Sequence, residues 1–469
     1  MIIIAIILFS IFLIKQSKLN AHIFITISLV ILISSIVADL VRDYDAYLYH
    51  LQAIRWAKEG FLHLGIANIH SRLGFQSLWF GLHGLFDFSG IFGYPLPILN
   101  GLVALFSLTF VAKKAVKLKK DWFAYAVLGM VLLLSSLDGP LYYLLRGYNP
   151  DIPAAFLTFW YFYSLHRSKV VNTQLLKKLT AISLFGLLIK LSTIPLILYT
   201  TFLLGRNLIL GANKKPYLQL SAVIALVVSY FMIQNVLLSG YLVFPMAFSQ
   251  LPVSWAMPKP EVEVLSGVIS SWAKVRSINP LYATPFELGW ISTWYTQQTV
   301  QSLVTILGGL VSTIGLSWLA LQQRSKKLGF ISLGIWELLL YWFLIAPDIR
   351  FGLGIFFVAE FICISELLRQ NYTKVAYTLG FIFIAALIVS VPPITNYYHW
   401  IRMVPKLKPW GLQSFPTNEM LVNGNMYYVP LETGEDRANY HDFPSAPQID
   451  PCLKQKKSGL FTIYYKECN

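Results

Sequence analysis

The chain has 469 residues, 56% of them hydrophobic and 15% aromatic, and only 13% are charged, against roughly 25% charged in an ordinary soluble domain. A soluble fold is excluded. The formal net charge of +15 is no nucleic-acid footprint either, because the basic residues fall in short clusters between apolar segments and never form one long stripe.

From the N-terminus, MIIIAIILFSIFLI has no basic residue before it and no small-residue cleavage site after it, so it reads as a retained anchor and not as a cleavable signal. A spanning helix needs about 20 mostly apolar residues, somewhat fewer where the bilayer thins. About twelve candidate spans follow, near 2–14, 22–38, 95–112, 122–137, 151–166, 178–191, 193–208, 217–238, 299–319, 329–346, 351–368 and 375–391. The pair around Lys190 and Pro195 can also be read as one broken helix, which would invert everything downstream.

Charge decides between the two. Every second connection is basic, as cytoplasmic loops should be: Lys15 and Lys18; Lys113, Lys114, Lys117, Lys119 and Lys120; Arg167, Lys169, Lys177 and Lys178; Arg206, Lys214 and Lys215; Arg324, Lys326 and Lys327; Arg369 and Lys374. Against these 19 cations stand only Asp121 and Glu366. A tight hairpin over 178–208 keeps the alternation intact and places both chain ends outside. The expected fold is an all-α polytopic membrane domain over 1–391, with outer loops at 39–94 and 239–298, followed by an outer tail at 392–469.

In the first outer loop, DAYLYHLQAIRWAKEG sets Leu48, Leu51, Ile54 and Trp56 among charged residues, and RLGFQSLWFGLHGLF repeats the pattern, so two amphipathic helices are expected along the membrane surface. In the second, EVEVLSGVISSWAKVRSI reads as a helix amid Trp, Pro and Tyr that can rest on the interface. The tail is polar, with strand-like NMYYVPL and GLFTIYYKE around a Pro/Asp-rich middle, and reads as a small β-containing domain. Of the three cysteines, Cys363 lies in an apolar segment, whereas Cys452 and Cys468 lie in the tail, where an oxidising compartment allows them to bridge. No CxxC or Cys/His spacing suggests a structural metal.

The chemistry-bearing stretch is ADLVRDYDAYLYHLQAIRWAKEG, where Asp39, Asp43 and Asp45 follow the second apolar segment. Two carboxylates one residue apart can hold a divalent cation, or one can serve as general base while the other positions an acceptor hydroxyl. They can equally end one helix and cap the next. This acidic pair in the first outer loop, followed by amphipathic helices and many spans, resembles the GT-C superfamily of integral-membrane glycosyltransferases. The strings YDAYLYHLQAIRW, YNPDIPAAFL, LLIKLSTIP and APDIRFGLG, scattered from about residue 43 to 355, are also similar to an uncharacterised GT-C-like family of bacterial multi-pass proteins. The resemblance implies a GT-C-like fold in the inner membrane and transfer of a sugar, with inversion, from a polyprenyl-phosphate carrier. By it Asp43 or Asp45 matches the first-loop catalytic carboxylate; which of the two, and whether a divalent cation takes part, stays open.

A lipid-phosphate leaving group needs cations. Lys190, at the end of an apolar segment before a tight reversal, should meet an anion or a watery cavity, or else snorkels to mark the helix end. Arg350 in PDIRFG sits on a short outer turn where it can grip phosphate or simply pair with Asp348. Arg146 and Asp151 in RGYNPD form a similar turn. Arg72 can face lipid phosphate or make a surface contact. His50 and His70 can polarise a hydroxyl but read more readily as structural, since Asp45, Tyr49 and His50 do not share a helix face. Glu337 and Glu360 are acids at membrane depth, as a transporter would want, or partners in interhelical hydrogen bonds.

No GxxxxGK[ST], HExxH, GxSxG or nucleotide fingerprint occurs. The donor or solute is therefore expected from the membrane or the periplasm, and the acceptor of a transferred sugar is a lipid, glycan or protein. The rivals are a lipid-linked glycan polymerase or ligase, dominated by arginines, and a transporter or flippase, although no internal repeat supports the latter.

Overall fold

The computed structural model describes residues 18–37, 41, 43–59, 62–75, 77–117, 121–138, 140–210, 213–277, 279, 288–390 and 411–468. The expected segment 2–14, Lys15, Asp39 and the first part of the tail lie outside them. The first half runs α1 (Lys18–Val37), a π-helical turn (Ala46–His50) continuing into α2 (Leu51–Lys58), strand β1 (Leu62–Leu64), α3 (Leu78–Leu85), α4 (Ser89–Phe92), α5 (Ile98–Lys117), α6 (Trp122–Asp138), α7 (Pro140–Leu145), α8 (Asp151–Arg167), α9 (Thr173–Ile189) and α10 (Ile194–Leu210). The second half runs α11 (Lys215–Ser239), α12 (Lys259–Val275), α13 (Ile291–Thr296), α14 (Val300–Gln322), α15 (Lys326–Ile345), α16 (Ile349–Arg369), α17 (Thr373–Ser390), β2 (Thr417–Val422), β3 (Asn425–Pro430), β4 (Leu453–Ser458) and β5 (Phe461–Lys466).

Every expected apolar segment within the described residues is helical. Among the described residues, six helices are long and apolar enough to cross a bilayer: α5, α10, α11, α14, α15 and α16; α6 and α17 are apolar but shorter. That is the architecture of a multi-pass helical membrane protein, in which each span satisfies its own backbone hydrogen bonds. Local chemistry sets the helix starts, with Asn172, Thr299, Ser325 and Asp348 accepting backbone N–H groups of the first turns of α9, α14, α15 and α16. The chain breaks at Lys190, which is extended (φ −156°, ψ 131°), and α9 and α10 fold back on each other as the basic-loop alternation requires.

α16 is the axis of the bundle. Of its most apolar 18-residue window 89% is buried, against 11% for α11 at the periphery. α8 crosses it at backbone contact, since a Cβ on Gly354 would lie 2.3 Å from the Ala155 carbonyl oxygen. At the end of the bundle away from the tail, Asp121 Oδ2 accepts from Arg167 Nη1 (2.7 Å) and Arg369 Nη2 (3.1 Å), and Arg369 Nη1 donates to Glu366 (3.0 Å). The two acids that stand among the basic connections are thus both consumed by ion pairs tying α6, α8 and α16 together.

The pieces expected outside differ from the sequence expectation. Leu48, Leu51, Ile54 and Trp56 are all buried, but Leu51 and Ile54 pack with Tyr148, Phe415 and Tyr440, and Trp56 packs with Tyr464, side chains of the bundle and tail. A hydrophobic face shows that a helix is covered and is silent about whether lipid or protein covers it. The second expected helix is a 3₁₀ turn (Ser71–Gly74) followed by the shorter α3. The tail has the strands expected of it. β2 and β3 form a hairpin across Asn423 (φ 49°) and Gly424 (φ 78°), the Asn-Gly turn that favours positive φ at both positions, and β4 pairs with β5 inside a loop closed by the Cys452–Cys468 disulfide. The tail is no separate appendage, because β5 also pairs in parallel with β1 of the first outer loop, Leu62 opposite Phe461.

Candidate functional site

The short connection after α1 delivers Asp43 and Asp45 to the tail-side end of the bundle, and the structure sends them in different directions. Asp43 is buried, 7% exposed. Its Oδ2 accepts from Asn149 Nδ2 (3.3 Å) and lies 3.5 Å from His50 Nδ1. The carboxyl rests on Gly147, where a Cβ would come within 2.7 Å of Oδ2. The turn beneath is itself clamped by Asn100, whose buried amide donates to the carbonyls of Leu144, Gly147 and Asn149 and accepts from Trp79 Nε1 (2.9 Å). Arg146, 1% exposed, belongs to the same turn.

Asp45 is more open, its side chain 24% exposed, and its Oδ2 accepts from Arg350 Nη1 at 3.1 Å. Arg350 is aimed by its own helix start: Asp348 Oδ1 accepts both its backbone N–H (2.9 Å) and its Nε (3.3 Å). The Ala346–Asp348 reversal is held in turn by Trp342 Nε1 on the Asp348 carbonyl (2.7 Å) and Trp294 Nε1 on that of Pro347 (2.8 Å). Burial disfavours charge on Asp45, but Arg350, His50 and Arg72 outweigh it and hold the carboxyl below the usual carboxylate range.

Lys190 meets the anion that its position demands. Its Nζ donates to Asp151 Oδ1 at the start of α8 and lies 4.0 Å from the centroid of the Phe351 ring. Asp151 and Arg350 then share a small cleft with Thr158, Ser192, Thr193 and Phe351. Arg72 stacks on Tyr49 at 5.8 Å and contributes to the field on Asp45.

Lys190, Arg350, Arg72 and His50 therefore gather around the two acids, and Arg146 lies in the turn under Asp43. His70 does not join them: it is buried, makes no hydrogen bond or ion pair with either acid among the described residues, and burial together with Arg72 pushes its pKa down to about 3. Glu360 is buried, with Oε1 unpartnered among the described residues, whereas Glu337 is half-buried rather than enclosed. Asn100 and Gly147 are site-building residues that sequence reasoning passed over, whereas Asn149 was read only as favouring the reversal; a lone Asn in the first turn of an apolar helix, ILNGL, was the available signal. As for a divalent cation, Asp43 and Asp45 point to separate partners, Asp45 already opposes a guanidinium, and no group of three or more metal-ligating side chains occurs among the described residues. This donor set does not fit a metal.

The site is a ring of matched acids and bases at one end of a multi-pass helical membrane protein. Residues 1–357 match the family described as domain of unknown function (DUF8201), and the chain belongs to that family. Both acids, Lys190, Asp151 and Arg350 fall inside the matched region, and the tail lies beyond it. No curated protein and no solved structure matches the chain.

Proposed function

We propose that the protein is a GT-C-like glycosyltransferase that moves a sugar from a polyprenyl-phosphate carrier onto a lipid, glycan or protein acceptor at the outer face of the inner membrane. The supporting observation is that Arg350, paired with Asp45, and Asp151, paired with Lys190, line one polar cleft at the end of the bundle. A carboxylate now sits on each cation where an anionic phosphate would bind. With the carrier phosphate on Arg350 and Lys190, Asp45 is released to take the acceptor proton. The acceptor oxygen then bonds to the anomeric carbon, the bond from that carbon to the phosphate oxygen breaks, and the electron pair leaves with the carrier phosphate under the two cations. Asp43, buried on Gly147 and tied to Asn149, keeps the turn in place.

The orientation belongs to the same proposal: twelve spans, basic connections in the cytoplasm, both termini outside. The Cys452–Cys468 bridge on the side of the acids suits an oxidising compartment. Glu360, a buried acid with an unpartnered oxygen, favours the second reading, a transporter. Transfer of labelled sugar from carriers in sealed vesicles decides between them. A glycosyltransferase loses transfer in Arg350→Ala and Lys190→Ala and keeps it in Glu360→Gln; a transporter shows solute movement that depends on Glu360 and no transfer at all.

A further inference from the structure

The acidic turn is held from above by residues that lie outside the family's matched region. Tyr47, the second residue of the π-helical turn, donates its hydroxyl to the Val41 carbonyl (2.8 Å) and accepts from the backbone N–H of Gln413 (2.8 Å), while its own carbonyl accepts from Ala438 N–H (3.1 Å). One side chain thus spans from the residue two before Asp43 to the tail. Gln52, 1% exposed, donates to the carbonyls of Asn439 (3.1 Å) and Asp442 (2.9 Å) and accepts from Ser445 N–H (3.2 Å). Tyr44, between the two acids, donates to Asp436, and Arg437 lies 4.9 Å from its ring. A π turn widens the helix at the expense of regular packing and persists where its surroundings over-determine it.

We propose that residues 411–446 of the tail are a positioning element, a fixed clamp that sets the Asp43–Asp45 turn so that Asp45 meets Arg350; its catalytic consequence rests on the transferase reading, but the clamp itself does not. Tyr47, Gln52 and Tyr44 act through the turn and touch no substrate. The rest of the tail joins the two loops at Asn68, whose buried amide donates to the carbonyls of Gly65, Trp255 and Tyr464, one from the first loop, one from the second and one from the tail. Gly65 allows that junction with φ 68° and no side chain, since a Cβ would lie 2.2 Å from the Tyr464 oxygen.

The test uses the full chain in lipid nanodiscs, with amide hydrogen exchange and transfer kinetics on Tyr47→Phe, Gln52→Leu and, as a control on the tail's exposed face, Leu421→Ser. The clamp requires at least tenfold faster exchange over residues 43–58 in Tyr47→Phe and Gln52→Leu, with α8 and α16 unchanged and Leu421→Ser like wild type. It also requires kcat to fall at least tenfold, while KM for the carrier stays within about twofold because Arg350 and Lys190 are untouched. Unchanged exchange over 43–58 in both variants overturns the proposal, and so does faster exchange with an unchanged kcat. Absence of transfer in wild type sinks the transferase reading alone, and the exchange result then still decides whether the tail holds the turn.

Discussion

Arg350 Nη1 lies 3.1 Å from Asp45 Oδ2, joining the start of α16 to an acid 305 positions earlier in the chain. The same guanidinium is braced by Asp348, so its planar fork is fixed before any ligand arrives. Arg350→Ala is expected to lower kcat for sugar transfer by about 10²- to 10³-fold, the range seen when one preorganised charge-stabilising donor is removed. Arg350→Lys should recover little of this, because an ammonium cannot face Asp45 and Asp348 at once. Full rescue by lysine would show that charge alone matters.

Lys190 and Asp151 form a second pair, with Asp151 buried and Lys190 about one-fifth exposed. Removing one partner of such a pair leaves an uncompensated charge, at a cost of about 3 kcal/mol, whereas replacing both by apolar groups of similar size is often tolerated. Asp151→Asn should therefore lower the melting temperature in detergent more than the Lys190→Met/Asp151→Leu double variant does. Additive losses would show that the two side chains are not coupled.

The helix positions, the break at Lys190 and the tail strands were legible in the sequence because hydropathy, charge alternation and turn chemistry are local. What stayed hidden were the pairings. The sequence put Arg350 beside Asp348 and Asp151 beside Arg146, both neighbours along the chain; the fold adds Asp45 to the first and gives Asp151 to Lys190, which lies 39 residues away. The cover over Leu51 and Ile54 was misassigned to lipid for the same reason: periodicity marks a buried face and does not name its partner.

The pH dependence follows from the environments of Asp45 and two histidines. Asp45 is held below the usual carboxylate range, so it stays ionised on acidification, and its contribution is lost only as pH falls through that lowered value. Transfer should be flat from pH 7 to about pH 5, since an unperturbed Asp titrates near 3.9. His70 and His83, pushed down to about 3 chiefly by burial, behave in the opposite chemical sense. They are neutral when folded and gain protons when unfolded, so their contribution to stability is complete above about pH 6.5 and declines as pH falls towards 3. In His83→Gln, thermal stability should depend less steeply on pH across that window. An unchanged slope would place the histidine in a solvated site.

Two close approaches set the geometry beneath the acids. A Gly147→Ala methyl would meet Asp43 Oδ2 at 2.7 Å, and a Gly354→Ala methyl would meet the backbone of Ala155 at 2.3 Å. The first should displace Asp43, and the second should part α8 from α16 and so Asp151 from Arg350. Both variants should insert into the membrane yet lose at least tenfold in transfer rate. Wild-type rates in both would mean that the turn and the helix crossing tolerate movement the site cannot use.

The most direct measurement is incorporation of radiolabelled sugar from membrane-embedded carriers in vesicles, comparing wild type with Asp43→Asn, Asp45→Asn and Glu337→Gln, each shown to insert normally. Asp45 as the base requires transfer to vanish in Asp45→Asn, to fall in Asp43→Asn through a displaced turn, and to persist in Glu337→Gln. Full transfer in both Asp variants would contradict the assignment and leave the acids as structural counter-ions of the cations beside them.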